Sequence, residues 1–391
     1  MNKVRVARII TRLNVGGPAY QAALLNCRLP ERGYETLLIH GQVSPGEDSF
    51  RSLLDRYPGP VYQSRRLARP IRPLRDTLAL SELVGVLRRF KPDIVHTHTA
   101  KAGVLGRIAA KIAGARVLVH TYHGHVLEGY FRPAVARTFL RTEKMMARMT
   151  DRLVGISPRL TRELCDRYRL APEARFVTLE LGLDLARFLN LPPRGRMRRQ
   201  SNIPDTAFVL GTLGRLVPIK NHRRMIAAFG RLTPSIPDHD LHLVIGGTGP
   251  LENELKAQAR ALNLDRRVHF PGLVEDLEAF YADIDLALLT SDNEGTPVTL
   301  LEAQAAGKFC VAPDVGGVGD ILDARRSRLV RPNEPEAYVN VLREIILNWT
   351  QVGPADDRLR QAVVERFHPD RLTADIDTLY QTLLAKDKMP S

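Results

Sequence analysis

The sequence of 391 residues contains few cysteines, few aromatic residues and no long apolar run. Its three cysteines lie far apart and form no C-x-x-C pair, which argues against a disulfide framework or a zinc ribbon and favours a reducing compartment. Aromatic residues make up only 6 % of the chain, so a base-stacking platform for nucleic acid is not expected. Since no run of 18 apolar residues occurs, the sequence predicts no membrane-spanning helix.

Positive charge is concentrated in the first half of the chain. Residues 1–190 carry a formal net charge of +16 and residues 191–391 one of −2, within a total of +14. Apolar residues make up 44 % of the chain, which is enough for substantial cores and excludes a disordered chain. We therefore expect an anionic partner at the first half.

Short runs rich in β-branched residues alternate with helical patterns along the chain. Predicted strands lie at 4–10, 36–41, 93–98, 116–124 and 151–157, and then at 208–214, 241–247, 267–272, 285–290 and 308–314. Because this alternation is typical of parallel sheets covered by helices on both faces, it predicts an α/β fold. The first residues are interpreted as a strand and not as a signal peptide.

A stretch rich in proline and arginine interrupts this alternation at 190–205. It is interpreted as following the linker between two α/β domains of similar size, residues 1–190 and 191–365. The final segment, 366–391, has a helical pattern. Ligands of such folds bind at the carboxyl ends of the strands, so the cleft between the two domains is the expected site.

Two carboxylates flank a helix start within the segment 291–320. Glu294 lies in the loop after a predicted strand, and Glu302 lies eight positions later on the helix. Thr296 is predicted to be the N-cap and Pro297 the first helical residue. The free N–H groups at such a helix start form a site for a phosphate.

Two cations follow the predicted strand at 208–214. Arg215 comes directly after it, and Lys220 comes five residues later. The planar fork of arginine and the compact charge of lysine both suit a diphosphate. These cations and the helix start lie at strand ends, where an α/β fold binds its ligand.

These segments resemble a known family. The run E-G-T-P-V-T-L-L-E at 294–302 resembles the E-x7-E motif of retaining glycosyltransferases of family 4, and G-R-L-V-P-I-K at 214–220 is similar to that family's diphosphate-binding pair. The stretch 246–274 resembles the segment that joins those two sites. The resemblance implies the GT-B fold, in which two Rossmann-like domains have parallel sheets facing a central cleft. It also implies that the helix at 366–391 crosses back to the first domain.

The resemblance implies a role for each site residue. Arg215 and Lys220 would hold the diphosphate of a nucleotide-sugar donor in the second domain and stabilise the leaving group. Glu294 would bind hydroxyls of the donor sugar, Glu302 the ribose hydroxyls, and His123 the donor sugar near its anomeric carbon. The remaining donor contacts would come from Gly16, Gly17, Val274, Gly295, Thr296, Pro297 and Val298. No metal or cofactor is implied, since fixed cations and helix dipoles stabilise a leaving phosphate.

Five of the 11 histidines lie close together in the first half of the chain: His96, His98, His120, His123 and His125. Their spacing also fits a metallohydrolase, for which Asp93 and Glu128 would be the carboxylate ligands near in sequence. In family 4 the corresponding strand ends carry histidines without a metal. We therefore expect no metal and interpret His96 and His98 as structural.

The segments H-T-H-T-A-K-A-G-V-L-G-R-I-A-A and H-T-Y-H-G-H-V-L-E-G-Y-F around these histidines resemble one bacterial subgroup of family 4. Its members are often placed in capsule, exopolysaccharide or O-antigen assembly. One segment departs from the family pattern. Many members have N-G-x-D before the linker, whereas this chain has L-G-L-D at 181–184, so the role of the missing amide is unfilled.

Two basic segments of the first domain, 65–76 and 139–149, also contain apolar residues. This mixture suits an anionic membrane surface that the protein contacts without crossing. The second segment also fits an amphipathic helix whose apolar side is core. Prolines and arginines are expected to keep the first segment from packing regularly. Nucleic acid is the rival partner for such charge, but no nucleic-acid-binding motif is evident.

The sequence therefore predicts a retaining, metal-independent hexosyltransferase that is cytoplasmic and peripherally associated with the inner face of the membrane. It would move a hexose or N-acetylhexosamine from a UDP-sugar to a polyprenyl-diphosphate-linked saccharide in cell-surface polysaccharide biosynthesis. The alternatives are a nucleotide-sugar 2-epimerase of the same fold and a non-catalytic bilobed binding protein. Paired carboxylates also fit a glycosidase, but their place on one loop–helix element beside a phosphate site favours a nucleotide sugar.

Overall fold

The computed structural model describes residues 3–14, 16–43, 52–124, 133–332, 334–353 and 356–387. The chain forms two compact units. The first consists of Met1–Leu183 and Phe367–Ser391, and the second of Asp184–Arg366. The backbone N–H of Leu183 donates to the carbonyl of Phe367 at 2.7 Å, where the chain leaves the first unit and returns to it. The boundaries predicted from the sequence lie at 190 and 365.

The described part of the first unit contains one parallel sheet of seven strands, in the order β3-β2-β1-β4-β5-β6-β7. The strands are β1 (Val4–Ile10), β2 (Tyr34–Gln42), β3 (Val61–Ala68), β4 (Ile94–His98), β5 (Val117–Tyr122), β6 (Arg152–Gly155) and β7 (Phe176–Thr178). The strand order reverses between β1 and β4. In open parallel sheets this reversal opens a crevice at the carboxyl ends of the two strands.

The described part of the second unit contains a parallel sheet of six strands, in the order β10-β9-β8-β11-β12-β13. The strands are β8 (Phe208–Leu213), β9 (Leu241–Gly246), β10 (Val268–His269), β11 (Leu286–Leu288), β12 (Phe309–Pro313) and β13 (Ser327–Val330). Here the order reverses between β8 and β11. Two parallel sheets connected through helices confirm the predicted α/β fold class.

The helices connect successive strands. The helices of the first unit that precede Leu183 are α1 (Gly17–Arg28), α2 (Ser52–Arg56), α3 (Pro73–Phe90), α4 (Ala100–Ala113), α5 (Pro133–Arg148) and α6 (Pro158–Arg162). The others are α7 (Arg196–Gln200), α8 (His222–Ser235), α9 (Glu252–Ala261), α10 (Leu277–Asp283), α11 (Val298–Ala305), α12 (Val318–Ile321), α13 (Pro335–Leu347), α14 (Trp349–Val352), α15 (Asp357–Arg366) and α16 (Pro369–Asp387). Among the described helices, none combines the length and the apolarity needed to cross a bilayer.

The sheet of the first unit has a core on each face, because successive side chains of a strand point in opposite directions. On β1, Val6 and Ile10 pack in a cluster with α1 and α16. Ala7 and Ile9 pack on the other face with α3 and α4. A central strand buried on both faces is apolar nearly throughout, which explains why β1 is evident in the sequence.

The last helix of the chain, α16, belongs to the core of the first unit. Leu372, Ile376 and Tyr380 are fully buried in the same cluster as β1 and α1. The Tyr380 hydroxyl accepts a hydrogen bond from Nη1 of the buried Arg8 at 3.1 Å. The Tyr34 hydroxyl donates to the α16 carboxylate of Asp377 at 2.6 Å. The C-terminal segment therefore completes the first unit and is not an appendage to it.

The basic segment 65–76 joins regular elements at its two ends only. Its start belongs to β3, in which Leu67 is fully buried, and its end forms the first turn of α3. Glu82 on α3 accepts the backbone N–H of Arg65 at 3.0 Å and that of Arg66 at 3.2 Å, so one carboxylate pairs the strand's backbone with the helix. The expectation that this segment is hard to bury is confirmed for residues 69–74, which are all exposed, and residues 69–72 join β3 to α3 outside either element.

Candidate functional site

The reversal point of the second sheet brings together the loops that carry the predicted donor residues. The loop after β8 contains Arg215 and Lys220, and the loop after β11 contains Glu294. Since β8 and β11 are adjacent and parallel, both loops leave the sheet at the same edge. This is the position at which open α/β sheets bind their ligands.

Lys220 and Glu294 form an ion pair in this site. Lys220 Nζ donates to Glu294 Oε1 at 2.5 Å, and both side chains are largely buried. The hydroxyl of Ser291 donates to the same oxygen at 2.6 Å. Two residues assigned to different parts of a donor thus contact each other directly. Ser291 was missed in the sequence, although it stands at the end of a strand only three residues before Glu294.

The backbone beside Lys220 is fixed by the loop after β11. The Thr290 hydroxyl donates to the carbonyl of Asn221 at 3.0 Å, and the Asn221 amide donates to Asp292 Oδ1 at 2.9 Å. The backbone N–H of Asp292 donates to the carbonyl of Ile219 at 2.9 Å. These bonds, which the sequence analysis did not predict, hold the ammonium group in place before any ligand binds.

Arg215 lies on a loop clamped by glycines. Leu216 donates its N–H to the carbonyl of Thr248 at 2.8 Å. A Cβ at Gly247, where φ is +131°, would overlap the carbonyl oxygen of Gly214, so the two loops pack this closely only with glycine there. In the described part of the chain, the Arg215 guanidinium has neither a hydrogen bond nor an ion pair. It remains available to an anion.

The loop of Glu294 is held by a second close backbone contact. Gly317 donates its N–H to the carbonyl of Glu294 at 3.1 Å. A Cβ at Gly316, where φ is +49°, would overlap that carbonyl oxygen. Any other residue at Gly316 would therefore displace the Glu294 backbone.

The start of α11 lies one residue later than the sequence predicts. The helix begins at Val298, and Pro297 is its N-cap with an extended ψ of 103°. Assigning Thr296 as the N-cap and Pro297 as the first helical residue is therefore wrong. The displacement leaves Thr296 Oγ1 buried without a hydrogen-bond partner among the described residues. This hydroxyl and the N–H groups at the start of the helix can contact a ligand.

Glu302 lies on α11 with its carboxylate bound to a tyrosine. The Tyr281 hydroxyl is 2.9 Å from Glu302 Oε2 and 2.9 Å from the carbonyl oxygen of Thr299. Burial raises the pKa of Glu302 to about 7. Tyr281 was missed in the sequence, because its partner lies 21 residues away on another helix.

The remaining predicted donor contacts of the second unit also lie at strand ends. Val274 follows β10, and its side chain packs against Gly246 at the end of β9. Gly295 lies between Glu294 and Thr296 and is partly buried. In the first unit, Gly16 is the N-cap of α1 with a φ of 153°, and Gly17 is the first residue of that helix.

His96 and His98 are buried on β4 and His120 on β5, and the partly buried His123 follows β5 directly. His96 contacts Tyr380 OH and Thr121 Oγ1, each at 2.7 Å, so protein groups occupy both its ring nitrogens. His123 Nε2 is 3.1 Å from His98 Nδ1, and burial lowers the pKa of His123 to about 3, so its ring is neutral at pH 7. Its Nδ1 has no hydrogen-bond partner in the described chain and remains available to a ligand.

Two further positions of the histidine hypothesis, His125 and Glu128, lie outside the described residues, and a third, Asp93, accepts the backbone N–H of Arg5 at 2.9 Å. Within the described ranges, no three or more His, Cys, Asp or Glu side chains are arranged to hold a metal ion. His120 bonds through Nδ1 to Thr97 Oγ1 at 2.8 Å and packs under α4 at Gly103.

Known proteins match the chain over both units. Residues 15–187 match the family model Glycosyltransferase Family 4, and residues 193–365 match the model for Glycosyl transferases group 1. A UDP-Gal:alpha-D-GlcNAc-diphosphoundecaprenol alpha-1,3-galactosyltransferase from Escherichia coli is 30 % identical over 317 residues, which cover 80 % of each chain. An N-acetyl-alpha-D-glucosaminyl L-malate synthase from Bacillus anthracis is 22 % identical over 96 % of each chain.

Solved structures share the fold. The crystal structure of Anabaena Alr3699/HepE in complex with UDP and glucose has a TM-score of 0.80, with 21 % identity, over 97 % of this chain and all of that one. A glycosyltransferase from Rickettsia africae has a TM-score of 0.79 with 18 % identity, over 98 % of this chain and 99 % of that one.

Proposed function

Since this chain belongs to the GT-B glycosyltransferases of family 4, we propose that it moves a hexose or N-acetylhexosamine from a UDP-sugar to a polyprenyl-diphosphate-linked saccharide. The observation that carries the proposal is the pairing of Lys220 with Glu294 at the reversal point of the second sheet. The loop that carries Lys220 also carries Arg215, whose guanidinium has no partner among the described residues, and α11 begins four residues after Glu294. These groups match the charge and hydroxyls of a sugar diphosphate.

The proposed chemistry follows from charge. As the bond between the anomeric carbon and the phosphate oxygen breaks, negative charge develops on the leaving diphosphate. Arg215, Lys220 and the N–H groups at the start of α11 are fixed donors that stabilise this charge without reorganising. No metal is required in this scheme.

Retention of anomeric configuration is part of the proposal. The acceptor oxygen attacks the anomeric carbon from the face that the diphosphate leaves, and its proton passes to a phosphate oxygen. Glu294 is proposed to bind sugar hydroxyls and not to act as a covalent nucleophile. Lys220 and Ser291 both donate to its Oε1, and such donation lowers the nucleophilicity of that oxygen.

The donor and acceptor classes rest on the relatives. The Escherichia coli relative is named for UDP-Gal and for a diphosphoundecaprenol-linked acceptor. The Anabaena neighbour is a complex with UDP and glucose. We therefore propose UDP as the nucleotide of the donor and a polyprenyl diphosphate as the lipid carrier of the acceptor. The reaction would belong to the biosynthesis of a cell-surface polysaccharide.

A lipid-linked acceptor requires the enzyme to work at a membrane, and the first unit has a surface that suits one. This surface, called the basic–apolar surface, lies on the end of β3 and the start of α3. It consists of the side chains of Arg65, Arg66, Ile71, Arg72, Leu74 and Leu78. Ile71 is 68 % exposed, Leu74 84 % and Leu78 48 %. Leu74 and Leu78 are four residues apart and so share one helix face. We propose that this surface holds the protein peripherally on anionic lipid at the cytoplasmic face.

Leu74→Asp is expected to weaken binding to phosphatidylglycerol vesicles by about tenfold or more, because it removes an apolar contact and adds repulsion. Leu347→Asp is the matched control, since Leu347 is a 51 % exposed leucine of the second unit. Vesicle sedimentation at low and high salt measures the effect, and binding of the unchanged protein should weaken with salt. Equal binding of the two variants, or equal binding to phosphatidylcholine vesicles, would contradict the assignment.

The proposed function is tested with a panel of nucleotide sugars and native membrane lipid extract, with mass spectrometry of the glycolipid product. Transfer from a UDP-sugar to a lipid-linked saccharide is the expected result. Conversion of the nucleotide sugar without an acceptor would instead identify a 2-epimerase. Donor binding without transfer or hydrolysis would identify a non-catalytic binding protein.

A further inference from the structure

The Tyr281 hydroxyl faces two acceptors with a single hydrogen. It lies 2.9 Å from Glu302 Oε2 and 2.9 Å from the carbonyl oxygen of Thr299, and the tyrosine is only 1 % exposed. When Glu302 is ionised, the hydroxyl donates to the carboxylate. When Glu302 is protonated, the carboxyl group donates to the hydroxyl, which then donates to Thr299. Tyr281 therefore has a matching hydrogen-bond direction for each protonation state of Glu302.

We infer that Tyr281 is a positioning residue that orients Glu302 toward the ribose hydroxyls of the donor and makes donor affinity depend on pH near neutrality. The inference rests on the proposed function, because it takes the ligand of Glu302 to be a nucleotide ribose. Beyond the proposed function, Tyr281 orients the Glu302 carboxylate, and the contact of that carboxylate with the ribose depends on pH.

The position of Glu302 supports a titration near pH 7. Burial is the largest influence and raises its pKa to about 7, while the hydrogen bond from Tyr281 and the charge of Arg187 lower it and Glu278 raises it. Arg187 and Glu278 form an ion pair at 3.4 Å, and their charges act on the pKa of Glu302 in opposite directions. Arg360 on α15 donates to the carbonyl of Ala305 on α11 and forms an ion pair with Asp357 at 2.8 Å. Its bonds are thus to groups other than the Glu302 carboxylate.

The direction of the pH effect follows from the ribose. Its two hydroxyls donate hydrogen bonds, so they bind the ionised carboxylate and not the protonated acid. Affinity is therefore highest above the pKa of Glu302 and decreases as the pH falls through it. With a pKa of about 7, the ribose contact weakens about tenfold between pH 8 and pH 6.

The experiment compares UDP with 2′,3′-dideoxy-UDP by calorimetry at pH 6, 7 and 8. Both ligands carry the same diphosphate, so the ratio of their dissociation constants cancels phosphate titration and reports the ribose hydroxyls alone. For the unchanged protein, the preference for UDP should increase about tenfold from pH 6 to pH 8. In Glu302→Gln the preference should not vary with pH.

Tyr281→Phe removes one oxygen atom and keeps the ring. The pH midpoint at which this variant gains its preference for UDP should move up by roughly half to one unit. Glu302 loses the hydrogen-bond donor that favours its ionised form. Tyr338→Phe is the matched control. Tyr338 is also buried, and its hydroxyl bonds to the carbonyl oxygens of Leu289 and Val311 but to no carboxylate. In Tyr338→Phe, the ratio of the two dissociation constants should depend on pH as it does in the unchanged protein.

The outcomes separate this inference from the proposed function. If the unchanged protein does not bind UDP at pH 8, the proposed function is contradicted together with the inference. If UDP binds but the ratio is constant from pH 6 to 8, only the titration of Glu302 is contradicted. If the ratio varies but Tyr281→Phe has the midpoint of the unchanged protein, the role of Tyr281 is contradicted.

Discussion

Lys220→Ala is expected to lower kcat/KM for sugar transfer by about 10³-fold. Its ammonium group is held 2.5 Å from Glu294 by a backbone that Asn221, Thr290 and Asp292 fix in place. In the proposed reaction this charge faces the leaving diphosphate. Water that fills the space cannot replace it, because water must reorient as the charge develops. The initial rate of UDP release with the acceptor found in the panel measures the effect.

The matched control for Lys220 is Lys256→Ala. Lys256 lies in the same unit and also pairs with a glutamate, Glu252, at 2.6 Å, but on the exposed surface of α9. An exposed pair of this kind contributes little, so its rate should stay within about twofold. If both alanine variants retain the same rate, Lys220 does not stabilise the leaving group. Thermal unfolding of both variants checks that the fold is intact.

Glu294→Ala is expected to lower kcat/KM by about 10²–10³-fold and to leave the affinity for UDP within about threefold. Glu294 is proposed to bind sugar hydroxyls, and UDP has no transferred sugar. Calorimetry with UDP and rate measurements with the UDP-sugar therefore separate sugar positioning from nucleotide binding. Glu252→Ala is the control from the exposed pair and should change neither quantity.

Two results for Glu294→Ala would contradict the assignment. Unchanged turnover would remove Glu294 from the site. An equal loss of UDP binding and of transfer would place its carboxylate on the nucleotide and not on the sugar.

The central strands of both sheets are evident in the sequence, but three other strands are not. β1 and β9 are mostly apolar, with five of seven and five of six residues that are aliphatic or glycine, because both of their faces are covered. β3, by contrast, alternates exposed arginines with buried residues such as Ser64 and Leu67, and it pairs along one side only. β7 and β13 also lie at the ends of their sheets, and of the four end strands only β10 is predicted. Local patterns thus predict buried strands better than strands at the ends of a sheet.

The residues of the candidate site likewise fall into those that the sequence predicts and those that it does not. Arg215, Lys220, Glu294 and Glu302 stand in motifs whose spacing can be read locally. The bond between Lys220 and Glu294 joins residues 74 positions apart and depends on β8 lying beside β11. Strand order comes from the packing of the whole unit, so no local pattern contains it. Ser291 and Tyr281 were missed because only their partners give them a role.

The place of α16 has a consequence for how the protein is made. The ribosome completes residues 1–183 before the second unit and makes α16 after that unit, yet Leu372, Ile376 and Tyr380 lie in the core of the first unit. At about 5–20 residues per second, roughly 10–40 s separate the synthesis of the two parts. During that interval the nascent first unit exposes the apolar side of β1 and α1. The unit that begins first on the ribosome is therefore the one completed last.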